Sequence, residues 1–395
     1  MSSYLETKLI LSALRYDQNP EAWQKECEGA NVNYDTLAVT AIVLGMAPQL
    51  YYTLTKWKVD LPPRAMAKLG ATFQLHQKRN AAIYDQLGEV LKECTRRGLK
   101  PIALKGVHLA ARVYPHIALR PMNDIDLLFE VGDLRSAEEI LEGLGYAGKH
   151  KSSELGAGVT KHTSTFKREN DSTATPNPYL STHNERMIEP HVSLEESWFG
   201  LKVDVTGGVR ERAVKESLQG HECLVLSRED LVLHLCVHFC FHLIMGSPAM
   251  VQLTDLLAVT SQSGINWRVF VERAQQTESA HYAFAALKLA AEVLHAPLTA
   301  EAASPDQNVL DDLARSIPRS LQHRLSQFNL NDVMKRTQQK PLRSIAQRVV
   351  RGLRDRAEAA SWAVNWGGWW RVWRSAFNVG RTDTGRQILD LWRRK

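Results

Sequence analysis

Apolar residues recur along this chain with two different periods, and the change between them marks out its parts. From Met1 to Gly98 the period is helical: Leu5, Leu9 and Ile10, then Leu37, Val39, Ile42 and Val43, with Pro48, Pro62 and Pro63 at the connections. Ile83, Leu87, Val90, Leu91 and Cys94 form one stripe that ends at Arg96-Arg97-Gly98, a cationic last turn with a glycine stop. The pattern then shortens. Pro101 to Leu104 reads as a buried strand, Lys105-Gly106 as a tight turn and Val107 to Val113 as a helix. A further strand holds Asp124 to Phe129, and Asp133 starts a helix with apolar face Leu134, Ala137, Ile140, Leu141 and Leu144, closed by Gly145. Strands are predicted at Val159 to Lys167 and Met187 to Val192, separated by a polar loop, Arg168 to Arg186, of the length that functional flaps have. After Val225 the helical period returns. Ser227 and Asp230 form a capping box ahead of a helix running to about Met245 and stopped by Gly246. Helices follow at Val251 to Thr260, from Ile265-Asn266-Trp267 onward, and at Tyr282 to Leu294.

Within this frame the chemistry concentrates between Lys100 and Glu130. Asp124 and Asp126 are two apart on a strand, so both carboxylates lie on one face, about 7 Å apart at the backbone. Paired anions of this kind hold cations. Two divalent ions about 3.5–4 Å apart clamp an in-line phosphoryl or nucleotidyl displacement, and hard oxygen ligands suit Mg²⁺. On this reading Asp126→Asn leaves the metal-free stability nearly unchanged or slightly raised, because two crowded anions repel; the plain alternative is a strand-end Asp pair facing water. Upstream, the strand-glycine-helix junction at Gly106 aims backbone N–H groups at a phosphate.

The motifs LKG, Tyr-Pro and LRPMNDIDLL resemble the uncharacterised nucleotidyltransferase family of the polymerase-β-like superfamily. The likeness continues in Ile188-Glu189-Pro190-His191, in LHLCVHFCFH (Leu233 to His242) and in Leu253-Thr254-Asp255-Leu256-Leu257, and so covers about Tyr84 to about Leu298. It implies an α+β fold with a polymerase-β-like nucleotidyltransferase core at 83–225. Flanking that core would be a helical region at 1–82, a helical domain closing the cleft at 226–300, and a basic Trp-rich helical region at 301–395. It also implies that Asp124, Asp126 and Glu189 hold two Mg²⁺ ions, or Mn²⁺ in their place, with Asp204 as a substitute ligand. Lys105, Gly106 and Arg120 would receive the phosphates of ATP or another NTP. His191, His238, His242 and Asp255 would stand in a second layer or at the acceptor site. One departure is the first turn, where the wider superfamily has Gly-Ser or Gly-Gly and this chain has Lys105-Gly106-Val107. The implied reaction moves an NMP group to a sugar, metabolite, peptide or protein acceptor and releases pyrophosphate; the rival is a non-catalytic binding or scaffold protein that kept the fold.

His234, Cys236, His238, Cys240 and His242 alternate, which on a strand would suggest zinc. On a helix the three histidines share one stripe and the cysteines another, and the capping box favours the helix. His238 and His242 are then expected on the active-site side, with Asp255, on an apolar helix face, needing a partner: one of them, a basic substrate, or a plain helix-capping or salt-bridge role. Charge changes the picture only at the end of the chain. Net charge is +6, yet from Lys335 onward fifteen Lys or Arg face four acids, a balance of +11. Trp362, Trp366, Trp369, Trp370 and Trp373 crowd the same region beside Arg371 and Arg374, which suits either a helix at an anionic membrane surface or a helix packed on the body. No nucleic-acid motif accompanies them. Five cysteines without framework spacing, and no signal or membrane-spanning segment, lead to the expectation of a cytoplasmic protein.

Overall fold

The computed structural model describes residues 4–148, 165–168, 186–246, 249–298, 308–337 and 345–374. Most of the strand predicted at Val159 to Lys167, and the interior of the polar loop Arg168 to Arg186, lie outside the described residues. The centre is a six-stranded mixed sheet. Its strands are β1 (Ile102–Ala103), β2 (Asp124–Leu128), β3 (Phe166–Arg168), β4 (Arg186–His191), β7 (Val214–Leu218) and β8 (His221–Val225), while β5 (Glu196–Trp198) and β6 (Leu201–Val203) form a separate hairpin. The order is β3-β4-β2-β1-β8-β7, with β2 parallel to β4, β1 parallel to β8, and the other neighbours antiparallel.

The alternation within β2 decides what each face of the sheet does. Ile125 and Leu127, with Ala103, Ile188 and Phe166, pack on Ile83, Leu87, Val90 and Leu91 of helix α5 (Pro63–Arg96) and on Ala137, Ile140 and Leu141 of α7 (Leu134–Gly143). Asp124, Asp126 and Leu128 take the opposite face. Residues directly opposite in a ladder share a face, and the register pairs Asp126 with Glu189 and Leu128 with His191. The helix α6 (Lys105–Arg112) starts at Lys105 itself, so the turn expected at Lys105-Gly106 is already helical. The β7–β8 hairpin had no counterpart in the hydrophobic pattern, because its strands VKESL and HECLV bury only their last residues, Leu218 and Val225. Its signal is the two-residue turn Gln219-Gly220, both residues at positive φ, 50° and 90°, as a tight hairpin requires.

Helices α1 (Tyr4–Ala13), α2 (Pro20–Ala30), α3 (Tyr34–Val43) and α4 (Ala47–Trp57) precede α5, which is roughly 50 Å long at 1.5 Å per residue. Beyond the sheet come α8 (Arg228–Ile244), α9 (Val251–Thr260), α10 (Trp267–Gln276) and α11 (Ala280–Leu294). These and the N-terminal helices bury one continuous apolar core. The Tyr16 N–H donates to the Leu294 carbonyl at 2.9 Å, closing the N-terminal helices onto α11. The capping box forms as read, with Ser227 Oγ accepting from the Asp230 N–H. The buried Asp230 carboxylate also takes charged hydrogen bonds from Arg212 (2.7 and 3.0 Å) and Arg273 (3.2 Å), so it fastens α8 rather than serving chemistry.

The C-terminal chain continues as α12 (Val309–Ala314), α13 (Arg319–Ser326), α14 (Leu330–Thr337), α15 (Ile345–Ser361) and α16 (Trp366–Arg374). Its tryptophans divide into two sets. Trp362 is 1% exposed, lies parallel to Tyr282 at 5.7 Å between ring centroids, and sits under the Arg324 guanidinium. Trp369 and Trp373 pack partly on the core, whereas Trp366 and Trp370 are 74% and 53% exposed. Among the described residues no helix is long and apolar enough to cross a membrane. Removing a buried indole leaves a cavity, so Trp362→Ala is expected to cost ~3–5 kcal/mol in urea unfolding. Trp366→Ala should change stability by less than about 0.5 kcal/mol. Equal effects from the two would contradict this division.

Candidate active site

The site begins where β1 gives way to α6. Lys105 adopts a left-handed φ of 40°, an uncommon and strained conformation for a residue with a side chain. Its Nζ stands 3.4 Å from Asp126 Oδ2, with the lysine nearly buried. At Gly106 an added Cβ would lie 3.2 Å from Met122 Cγ, which leaves little room for a larger residue. The segment leading into β2 is pinned from α5: Arg79 Nε donates to the Met122 carbonyl at 2.9 Å and Asn80 Nδ2 to the Arg120 carbonyl at 2.9 Å. Tyr84 of the same helix donates its hydroxyl to the Val107 carbonyl at 2.8 Å. None of these three stood out in the sequence, because each acts through a backbone carbonyl and leaves no pattern of spacing.

A cavity of about 370 Å³ opens over the polar face of the sheet. Lys105, Gly106, Arg120, Asp124, Asp126, Glu189, His238 and His242 all line it, so most of the predicted site residues come together. His191 stands beside Asp126, its Nε2 2.7 Å from Asp126 Oδ1 and 3.9 Å from Glu189 Oε2. One ligand atom from each of Asp126, Glu189 and His191 can be chosen so that all lie within 4.8 Å of one another, a spacing that suits a single metal ion. Thr165 donates to Glu189 Oε1 at 2.8 Å and holds that carboxylate from the far side.

The two aspartates of the pair are not equivalent. Burial works against ionisation of Asp126, but the Lys105 ammonium and the His191 hydrogen bond outweigh it and hold its carboxyl well below the usual range. Asp124 feels Lys105 and Arg120 too, but they do not prevail. Burial first, then the charges of Asp126 and Glu189, push it up to about 7. Burial disfavours the Lys105 charge, yet Asp126, Glu196, Asp124 and Glu189 together raise its pKa. The expectation that Asp126→Asn relieves crowding therefore belongs to Asp124; Asp126 is the paired member, and its loss leaves Lys105 and His191 without it.

The structure also places Asp255, Asp204 and the alternating histidines and cysteines. Asp255, fully buried, does not meet His238 or His242: it takes Arg120 Nε on both oxygens (2.8 and 3.0 Å) and the Tyr114 hydroxyl (2.9 Å). Burial and the neighbouring Asp255 charge push the Tyr114 hydroxyl well above its ordinary pKa, so it stays a donor. Arg120 accordingly reaches the cavity already neutralised by a buried carboxylate. Asp204 lies outside the cavity and accepts from the Thr206 N–H at 2.9 Å. The alternating histidines and cysteines form a helix as argued, with His234, His238 and His242 in one row at ring separations of 5.9 and 4.4 Å. The sequence reading also overlooked Glu196. This buried residue lines the cavity and places Oε1 2.8 Å from His238 Nδ1. It sits on the short β5–β6 hairpin, where no period or motif announces it.

A family model described as an uncharacterised nucleotidyltransferase matches residues 30–295, well over half of the chain, and spans every residue of the cavity. No curated protein and no solved structure gives a match. The extent of the family match, together with the cavity that its motifs surround, establishes that the chain belongs to the uncharacterised nucleotidyltransferase family.

Proposed function

We propose that the protein transfers an NMP group from an NTP to an acceptor and releases pyrophosphate, on a polymerase-β-like core at 83–225 that the helices of 226–300 close over. The observation that carries this is the charge inventory of the cavity. Asp124, Asp126, Glu189 and Glu196 line it; of the arginines and lysines among its described lining residues, Arg120 is neutralised by Asp255 and Lys105 alone faces the cluster. Such an excess of anions either takes up protons, as Asp124 does, or binds further cations, and a divalent ion competes for the place of that proton. Asp124, Asp126 and Glu189 are oxygen donors suited to two Mg²⁺ ions, or Mn²⁺ in their place, and His191 fixes the orientation of Asp126. Bound divalent ions would neutralise the triphosphate and lower the pKa of an attacking group. The chain itself supplies the rest. Lys105 and Gly106, the first two residues of α6, both line the cavity, and there they would receive the phosphates in place of the hydroxyl of the Gly-Ser turn found elsewhere in the superfamily. The regions 1–82 and 301–395 serve as helical buttresses.

Binding to the folded state alone raises the melting temperature, so Mg²⁺ with ATP, CTP, GTP or UTP is expected to stabilise the wild type. Asp124→Asn and Asp126→Asn should both abolish that stabilisation and yet move the metal-free protein in opposite directions at pH 8. Asp126→Asn unpairs Lys105 and His191 and is expected to cost ~3–5 kcal/mol. Asp124→Asn removes a carboxylate whose ionisation the fold resists, and should raise the melting temperature. Stabilisation by NTP in either variant would refute the metal reading, and its absence in the wild type would favour a scaffold.

The raised Asp124 carboxyl fixes a sign for pH. With a folded-state value of about 7 against an ordinary 3.8, the folded protein holds a proton that the unfolded chain releases. Metal-free stability should thus fall as pH climbs from 3.8 to 7, and Asp124→Asn should flatten that slope. Metal must displace the same proton, so Mg²⁺ affinity should rise by up to about tenfold per pH unit below 7 and level off above it. Calorimetric titration at pH 6 and pH 8 measures this directly.

Contact with an anionic membrane, in a cytoplasmic protein, would rest on Trp366 and Trp370 with Arg371 and Arg374, a smaller patch than five indoles. Vesicles containing phosphatidylglycerol should pellet the wild type at low salt and release it as salt screens the attraction. Trp366→Ala/Trp370→Ala protein that pellets equally well would exclude this surface.

A further inference from the structure

The cavity wall opposite the sheet is built by α8 and the β5–β6 hairpin, and neither the metal ligands nor the phosphate contacts draw on it. Glu196 is buried there against His238, with 2.8 Å between Oε1 and Nδ1. An ionised carboxylate only accepts hydrogen bonds, so His238 Nδ1 carries the hydrogen and, in the neutral ring, Nε2 carries the lone pair. His242 packs edge-on against the same ring at 4.4 Å and His234 stacks at 5.9 Å, which limits its rotation. The result is an imidazole of one tautomer and one orientation, in a cavity whose facing wall carries Asp124, Asp126 and Glu189.

We propose that His238, oriented by Glu196, is the general base that takes the proton from a neutral hydroxyl acceptor, an alcohol or a phenol. This rests on the nucleotidyl-transfer reading and names the acceptor class for it. A phosphate or carboxylate acceptor arrives already ionised, has no proton to surrender, and would meet Glu196 as a like charge. A hydroxyl attacks poorly until its proton is removed, and a positioned imidazole performs that removal. In the step, the acceptor oxygen bonds to the α-phosphorus as its proton passes to His238 Nε2. The bond between the α-phosphorus and the bridging oxygen breaks, and pyrophosphate leaves with that electron pair. The Glu196 carboxylate stabilises the imidazolium until the proton passes to solvent. The products are the nucleotidylated acceptor, pyrophosphate and one proton. Glu196 touches no reacting atom and is a positioning residue.

The pair could equally be a tie between the hairpin and α8, and the choice of nucleophile separates the two roles. Pyrophosphate release by the full-length protein is measured with Mg²⁺ and the stabilising NTP, using water, concentrated glycerol or hydroxylamine as acceptor. Hydroxylamine attacks through a neutral nitrogen lone pair and needs no proton removed first. Glu196→Gln and His238→Gln are expected to slow release to water and glycerol by about 10²-fold or more. Both variants should keep the NTP-induced rise in melting temperature and keep their rate with hydroxylamine near that of the wild type. Where the buried Glu196→Gln protein fails to fold, His238→Gln carries the same comparison. Equal loss with all three nucleophiles, no loss with any, or a wild type that binds Mg²⁺ and NTP yet releases no pyrophosphate to water or glycerol overturns the assignment. A wild type that no NTP stabilises removes the transfer reading, and this inference with it.

Discussion

The contact between Lys105 and Asp126 is the one on which the site depends. Without it, the polar face of β2 would present two unbalanced carboxylates to a third on β4, under a lid of apolar helices, and burial would drive protons onto all of them. With it, one carboxylate stays ionised through the accessible pH range while its neighbour Asp124 is left near neutrality in charge preference. The geometry that achieves this is unusual. Lys105 opens a helix with a left-handed φ, and that backbone turn sends its side chain inward toward the sheet rather than out along the helix surface. The long helix α5 then secures the arrangement by holding the carbonyls of Val107, Arg120 and Met122 with Tyr84, Asn80 and Arg79.

Residues that announce themselves by period or pairing were readable before any coordinates. The strand alternation that put Asp124 and Asp126 on one face is a local property of the backbone, and so is the four-residue spacing that made the histidines one row of α8. The capping box of Ser227 and Asp230 is local too. Partners chosen in three dimensions were not readable. Asp255 needed a cation, which the sequence made plain, but Arg120 lies far away in the chain and only the fold brings it near. Glu196 was hidden for the same reason. Polar strands such as β7, at the edge of the sheet, and β8, next to it, defeat a reading based on hydrophobic alternation, since each buries only its last residue.

The buried Arg120 and Asp255 pair illustrates how far a family motif can be carried by inspection. An arginine just upstream of the Asp pair invites a phosphate-binding role, and it does line the cavity. Yet its Nε is committed to both oxygens of a fully buried carboxylate, and Tyr114 completes the set. Gln49 of α4 extends this network by donating to Thr254 and to the Leu119 carbonyl, so the N-terminal helices, the loop before β2 and α9 are joined by one polar cluster. Such a cluster positions elements more than it binds ligands, because a buried polar network tolerates few arrangements.

The turn of the β5–β6 hairpin ties the cavity to the far end of the described chain. Gly200 adopts a φ of 82°, and a Cβ there would stand 2.7 Å from the carbonyl oxygen of Arg371, while the Arg356 guanidinium lies 4.4 Å over the ring of Phe199. The hairpin that delivers Glu196 to the cavity is therefore held in place by α15 and α16, the last described helices of the chain. The family match ends at residue 295, before either helix begins. A chain trimmed to that match would keep both aspartates, Glu189 and the row of histidines, and yet lose the backing of the strand that carries Glu196.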